Sequence, residues 1–354
     1  MERSKEVNIF ATAVLAVGLA FVAMNVDAQD ADAASEGQSA RVHMDNDLFA
    51  GRERDRDYTG GFAVTLTGES AARGLLTLDP ALARIDRAMA PIEAPASVHY
   101  ARQAGLMVFT PGDITSAEPV AGDRPYASLL FATNARMYVG DSGRDAWSSS
   151  VTVGVMGLSL ANELHDLVHD AVGSESPRGY AHQISDGGEP TARYTLARHH
   201  LWIADPTGAV DVKTTVQGSV GFLTEASAAV SMRMGRFNSA WWSFAPELTD
   251  YVAAPAPADT RSGAGRGELY VFLGARVKAR AYNAFLQGQF RDNVVEYSYG
   301  DIEPIVAQAW IGVVTQVFEQ TQLSYTLNYQ TAELREGEGA QSSLWGGVQF
   351  AHAF

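Results

Sequence analysis

The sequence predicts an all-β fold, a transmembrane antiparallel β-barrel with one short helix set beside it. Three observations carry that expectation. Runs of ~10 residues alternate apolar and polar along the chain and are parted by turn residues, which is the outer-membrane barrel pattern. Beyond the first thirty or so residues no apolar stretch is long enough for a membrane helix. The last run ends Val348-Gln349-Phe350-Ala351-His352-Ala353-Phe354, an alternating strand closed by Phe, resembling the ending that barrel-assembly machinery recognises. A soluble β-sandwich would share the alternation but would need neither that ending nor so many strands.

In chain order, Arg3 and Lys5 precede a mostly apolar run from Ile9 to Met24, and small residues follow at Val26-Asp27-Ala28. That is the layout of a cleaved secretory signal over residues 1–28, leaving 29–354 as a single barrel domain. The chain has no cysteine, so its stability cannot come from disulfides. The net charge of −15 leaves no basic stripe for nucleic acid and suits carboxylates that hold divalent cations.

Residues 40–49 and 58–67 read as a hairpin with a long charged loop. Residues 71–97 are Ala- and Pro-rich, an excursion with some helix. Strands are expected at 100–110, 126–139 and 148–156, then at 191–202, 211–223, 226–237, 268–281, 284–291, 305–318, 322–331 and 343–354. In VFLGARVKARAYNAFLQGQF one set of alternate positions is apolar and the other carries Arg, Lys or Gln. Trp202, Trp241, Trp242, Trp310 and Trp345 suit an interfacial aromatic girdle. Residues 253–265 read as a surface loop.

The anomaly is GLSLANELHDLVHDAVG at 157–173. Leu160, Leu164, Leu167, Val168 and Val172 recur at helical spacing, with Ser159 placed to cap and Gly173 to terminate. His165 and His169, four residues apart, share a face with Asn162 and Asp166 nearby. A packing helix with solvated histidines fits the same pattern. Zinc at this spacing would need a third ligand such as Glu163 or His182. There is no G-x-S-x-G, no phosphate loop and no H-E-x-x-H.

Asp45-Asn46-Asp47 ends the first strand, and Asp55-Arg56-Asp57-Tyr58-Thr59-Gly60-Gly61 opens its partner, so the hairpin brings both clusters to one rim. Such oxygen donors suit Ca²⁺, although turn-forming Asp and Asn on a solvated loop read the same way. In Gly122-Asp123-Arg124-Pro125-Tyr126 the Asp-Arg pair could simply fix a turn.

Taken together, DNDLFAG, DRDYTGG, GDRPYA and ELHDLVHDAVG with SPRGYAHQI behind it closely resemble the outer-membrane lipid A 3′-O-deacylase family, from about His43 to Phe354. The resemblance implies a barrel of about twelve strands that hydrolyses the ester of the 3′ acyloxyacyl group of lipid A with Ca²⁺ as cofactor. The partners it implies are lipid A or lipopolysaccharide as substrate and the outer-membrane bilayer; the sequence leaves the oligomeric state open, with a monomer the expectation. Residue by residue, the family's Asn-Asp pair falls on Asn46 and Asp47, its Thr on Thr59 and its essential histidine on His169.

Two departures stand out. His165 occupies the place of a common Gln, and Thr115-Ser116-Ala117-Glu118-Pro119 replaces the basic stretch of enterobacterial members.

The expected chemistry has His169 as general base for water. Ca²⁺ would be held by Asp47 with Asn46 and Asp45, while Thr59 and the Asn46 amide donate to the oxyanion and His165 orients the site. A phospholipase on another lipid ester, or a non-enzymatic channel or cation-binding barrel, are the alternatives.

Overall fold

The structure is a computed structural model that describes residues 38–51, 57–74, 77–92, 94–159, 163, 177–205, 209–255, 267–318 and 320–354. The expected signal segment lies outside these. Twelve strands form one closed barrel in which every strand pairs with its neighbours in sequence, and the first closes on the last.

The strands are β1 (Ser39–Asn46), β2 (Asp57–Thr67), β3 (Ser97–Thr110), β4 (Ala127–Val139), β5 (Asp145–Met156) and β6 (Glu189–Ala204). They continue as β7 (Val210–Gly221), β8 (Leu223–Arg236), β9 (Leu269–Asn283), β10 (Ile305–Phe318), β11 (Thr321–Gln330) and β12 (Ser343–Ala353). Among the described residues two helices are complete in the connections, α1 (Asp79–Met89) between β2 and β3 and α2 (Ala284–Gln287) after β9. Residues 284–291, expected as a strand, are instead α2 and the loop after it. Asn283 caps that turn, its side chain accepting from the Phe285 N–H, so β9 stops there.

Alternation along the strands sorts residues between lumen and outer wall. On β9 Arg276, Lys278 and Arg280 are buried inside while Val271, Leu273 and Val277 are exposed outside. Leu130, Val153, Val216, Val230 and Ile311 continue that apolar outer surface. The girdle expectation holds for Trp202, which is 61% exposed, but not for Trp242, Trp310 or Trp345, all buried. Trp310 lies in register with Gly274, over which its indole packs, and Trp345 packs edge-on against Tyr58 on the inner face, with one strand, β1, between them.

The lumen is plugged, with a cavity of about 250 Å³ left beside the plug against inward residues such as Arg41, His43, Gln322 and Ser324. The segment 237–255 enters from the end that carries the chain termini. Glu247 accepts from Thr215 and Ser231 and lies 3.0 Å from Lys213. Asp250 bridges Arg193 at 2.5 Å and Arg276 at 2.8 Å. Tyr251 packs between Tyr58 and Phe109 and donates to Glu333. Glu333, on the connection after β11, also pairs with Arg124 and Arg280. Residues 253–255 therefore line the lumen, where the Ala253 carbonyl accepts from Gln103, and are not the surface loop expected. The rest of that stretch falls outside the described residues.

Burying so many charges is tolerable only because each is answered. Removing one partner of a buried pair costs about 3–5 kcal/mol, since the other is left without compensation. Burial alone would raise the Asp250 carboxyl, but Arg193 and Arg276 outweigh it and hold it well below the usual carboxylate range. A carboxylate lowered in the folded state stabilises at pH values above its unfolded pKa, and that stabilisation is lost as pH falls.

The wild-type barrel is therefore expected to show no steady conductance in planar bilayers. Asp250→Ala should lower the urea midpoint by the equivalent of about 3–5 kcal/mol and admit ions. The stability difference between wild type and variant should shrink below about pH 4. Steady wild-type conductance would reject the plugged lumen.

Candidate functional site

The functional cluster is built on the sequence step from Asp45 to Asn46. Adjacent strand residues face opposite sides. Asp45 faces the lumen, 2.8 Å from His43 Nε2 and accepting from the Tyr58 hydroxyl at 3.2 Å. Asn46 faces the outer wall. The barrel wall thus parts Asp45 from Asn46, so the structure does not bring the three expected ligands Asp45, Asn46 and Asp47 together on one side of the wall.

Two glycine pairs make room for this step. In register with Asp45 and Asn46 stand Gly61 and Gly60 on β2, and Gly347 and Gly346 on β12. A Cβ on Gly347 would meet Asp45 Oδ1 at 2.4 Å, and one on Gly60 would meet the Asp45 carbonyl at 2.6 Å. Outside, a Cβ on Gly346 would meet Phe49 Cβ at 2.6 Å, so the chain after β1 can lie flat on the wall only over glycine. That chain is a 3₁₀ turn over Asp47–Ala50. Asn46 caps it through Oδ1, 2.7 Å from the Leu48 N–H, and the Phe49 carbonyl accepts from Tyr325. Asp47 sits in the first turn, 2% exposed.

The Asn46 amide also donates to the Thr59 carbonyl at 3.0 Å. Thr59 is the extra residue of a bulge in β2, where the register to β3 shifts between Tyr58 and Gly60. Its hydroxyl meets that of Thr110, on the outer face of β3, at 2.6 Å, and both residues are buried. Asn46, Thr59 and Thr110 thus form one polar row on the outside of the wall. Thr110 is the member that sequence reasoning missed. Its signal is a hydroxyl at an outward position of LMVFT, where lipid-facing chemistry calls for an apolar side chain.

The third and fourth motifs roof this row. Outward-facing Val108 carries Tyr126 and Tyr180, whose rings lie 4.6 Å apart. Gly179 is required there, because a Cβ would reach the Tyr126 ring at 2.5 Å. The Ile184 N–H donates to the Tyr126 carbonyl and the Gln183 amide to the Gly157 carbonyl. The Arg178 N–H donates to the Ile114 carbonyl. Both flanks of the histidine-bearing stretch are thereby pinned to the outer wall, but His165 and His169 themselves lie outside the described residues. Asp123 does fix a turn, accepting from the Gly112 and Arg124 N–H groups, while the Arg124 guanidinium reaches into the lumen to Glu333. Where the basic stretch was expected missing, the loop carries exposed Asp113 and Glu118. The hydroxyl and N–H of Thr115 hold the Asp113 carboxyl below its usual range.

Gly346→Val should lift the 47–50 turn from the wall. Overpacking of this kind costs about 1–3 kcal/mol, read as a lower urea midpoint, with faster amide exchange at Leu48 and Gly51. Unchanged exchange there would show that the turn does not depend on this contact.

Residues 11–354 match the family described as outer membrane protein LpxR. Among solved structures, LpxR from Salmonella typhimurium superposes with a TM-score of 0.68 at 16% identity, over 89% of this chain and 100% of that one. An outer membrane channel from Pseudomonas putida F1 gives a TM-score of 0.44 at 9% identity, over 93% of this chain and 100% of that one. Comparison with curated proteins returns no match. With a family match over residues 11–354 and a fold that superposes on the Salmonella protein, this chain belongs to the LpxR family of outer membrane proteins.

Proposed function

We propose that this protein is a Ca²⁺-dependent lipid A 3′-O-deacylase working at the outer wall of its barrel. One observation carries the reading: Asn46, Thr59 and Thr110 line up on the lipid side of the wall, at the end opposite the chain termini. In an outer-membrane barrel the termini face the periplasm, so that row lies at the outer leaflet, where lipid A resides. An ester there can reach the row sideways from the bilayer without entering the plugged lumen.

The residues fit the chemistry of ester hydrolysis. Among the described residues no three His, Cys, Asp or Glu gather as a metal cluster. A cation at this site would therefore draw on the Asp47 carboxylate together with the Asn46 amide oxygen and neighbouring neutral oxygens, a mixed set that Ca²⁺ accepts. When bound, it would polarise the ester carbonyl. The Asn46 amide and the Thr59 hydroxyl are the donors nearest to hand for a developing oxyanion. The Thr59 hydroxyl is held by Thr110, so its direction is set before substrate arrives. His169 is assigned as the base that takes a proton from water at a ring nitrogen, with His165 orienting it in the place of the family's Gln. Asp113 and Glu118 in the loop over the site disfavour a heavily phosphorylated head group, so a lipid A with fewer exposed phosphates is the expected substrate.

The deciding measurement is mass spectrometry of lipid A from a host carrying the protein, with Ca²⁺ and with chelator. Loss of the 3′ acyloxyacyl mass, abolished by chelation and by His169→Ala in a correctly inserted barrel, is expected. Unchanged lipid A beside hydrolysed phospholipid would replace this reading with the phospholipase.

Thr110→Val should leave the barrel intact and lower kcat about fivefold, the equivalent of one neutral hydrogen bond of about 1 kcal/mol. KM should change little, because the bond positions a donor and does not hold the acyl chain. An unaltered kcat would remove Thr59 from the oxyanion role.

A further inference from the structure

The outer wall carries a second polar patch, at the opposite end and a quarter-turn round the barrel. On β4, Leu130 faces outward and exposed, so Asn134, Arg136 and Tyr138 face outward too. Ser149 on β5 lies in register with Arg136, and Tyr194 on β6 with Val151, which place both on the same outer surface. Polar groups there are costly in lipid unless they are bonded.

The connection from β2 to β3 answers them. Asp86 of α1 accepts from the hydroxyls of Tyr138 at 2.6 Å, Ser149 at 2.7 Å and Tyr194 at 2.9 Å. Asp79 takes a two-pronged bond from Arg136 at 2.7 and 2.6 Å. Asn134 bonds the Ala71 carbonyl and accepts from the Leu78 N–H. The connection therefore does not hang free from the barrel end; α1 lies against the wall with Asp79, Leu82 and Asp86 turned inward.

Its depth is fixed by register. Tyr138 pairs with Trp147, and Trp147 with Arg198, whose guanidinium lies 5.9 Å from the Trp147 ring centre. Trp202 projects from the same face of β6, four residues beyond Arg198, and is 61% exposed. Outward Trp with Arg marks the membrane–water boundary, here at the periplasmic end. The other face of α1 presents Pro80, Arg84, Arg87, Ala88 and Met89, all exposed. Neither arginine forms an ion pair among the described residues, and the Arg87 side chain bonds only the Ala83 carbonyl. On a chain with net charge −15, two cations without acidic partners at the bilayer boundary complement an anionic surface.

We propose that this face of α1 binds the phosphate head group of phospholipids in the periplasmic leaflet. Arg84 and Arg87 hold the phosphodiester, and Ala88 and Met89 dip towards the acyl boundary as in interfacial amphipathic helices. The site is distinct from the outer-leaflet row in position and in ligand, and does not rest on the deacylase reading.

The chain has no cysteine, so Ala88→Cys alone can carry a polarity-sensitive fluorophore. The labelled protein, refolded in phosphatidylcholine vesicles with and without phosphatidylglycerol, is compared with the same protein bearing Arg84→Glu and Arg87→Glu. Heat-shifted gel mobility confirms a folded barrel in each. Quenching by head-group-proximal doxyl lipid is expected, with little quenching by iodide. Native mass spectrometry should find phosphatidylglycerol retained several-fold more by the unmutated arginines, and free inorganic phosphate should not displace it. Quenching by iodide and not by lipid would overturn the proposal in favour of a water-facing surface for a soluble or protein partner. Equal lipid retention by both proteins would overturn it as well.

Discussion

The site depends on strand alternation across a single peptide, the one between Asp45 and Asn46. One side chain must face the lumen and the other the lipid, and a slip by one residue would exchange them. The register is therefore held from both sides. Gly60 and Gly346 flank Asn46 outside, while Gly61 and Gly347 flank Asp45 inside. The outward glycines leave space for a turn that lies flat on the wall, and the inward ones leave space for a carboxylate and for the Tyr58 ring.

The lumen supplies the rigidity that such a step requires. A barrel of this size could hold water, yet here Asp250, Glu247 and Glu333 meet arginines and a lysine contributed by several different strands. Each carboxylate thereby ties together strands that are distant in sequence. Buried ion pairs are poor evidence of net stability, because desolvation offsets much of the attraction. Their contribution here is to fix which strand faces which, with aromatic packing around Tyr58, Phe109 and Tyr251 filling the space between. Tyr58 donates to Asp45 and packs on Tyr251 inside, while Thr59, next to it in the chain, joins the outer row, so lumen and row share one stretch of wall.

Much of this was legible in the sequence, because alternation and turn residues report strands directly. Each of the twelve observed strands corresponds to an expected run, and the exception, residues 284–291, failed where Asn283 turned an alternating pattern into a capped helix. Facing was harder to read. In FATNARMYV polarity alone would send Asn134, Arg136 and Tyr138 into the lumen, whereas they face outward and Thr133, Ala135 and Met137 face in. The reason is tertiary: Asp86, some fifty residues earlier in the chain, supplies the partner that makes an outward tyrosine tolerable. The same limit hid the plug, since nothing local in residues 237–255 announces that their carboxylates will meet cations on strands before and after them.

These two outward polar patches follow one rule. A lipid-facing position that is not apolar requires a cover, and the cover is a connection folded back onto the wall. At one end Asn46, Thr59 and Thr110 are met by the 47–50 turn and by the shelf of Tyr126 and Tyr180. At the other, Asn134, Arg136, Tyr138, Ser149 and Tyr194 are met by α1. The covers differ in how completely they satisfy what lies beneath. Under α1 the outward carboxylate partners close the polar groups off, which is what a structural seam needs. In the other patch Asn46 commits one of its two amide N–H groups to the Thr59 carbonyl, and the two threonine hydroxyls, which have one donor each, share a single contact. Among the described residues one hydroxyl proton of that pair has no further acceptor. A sealed seam would have no use for it, whereas the oxyanion role proposed for Thr59 would.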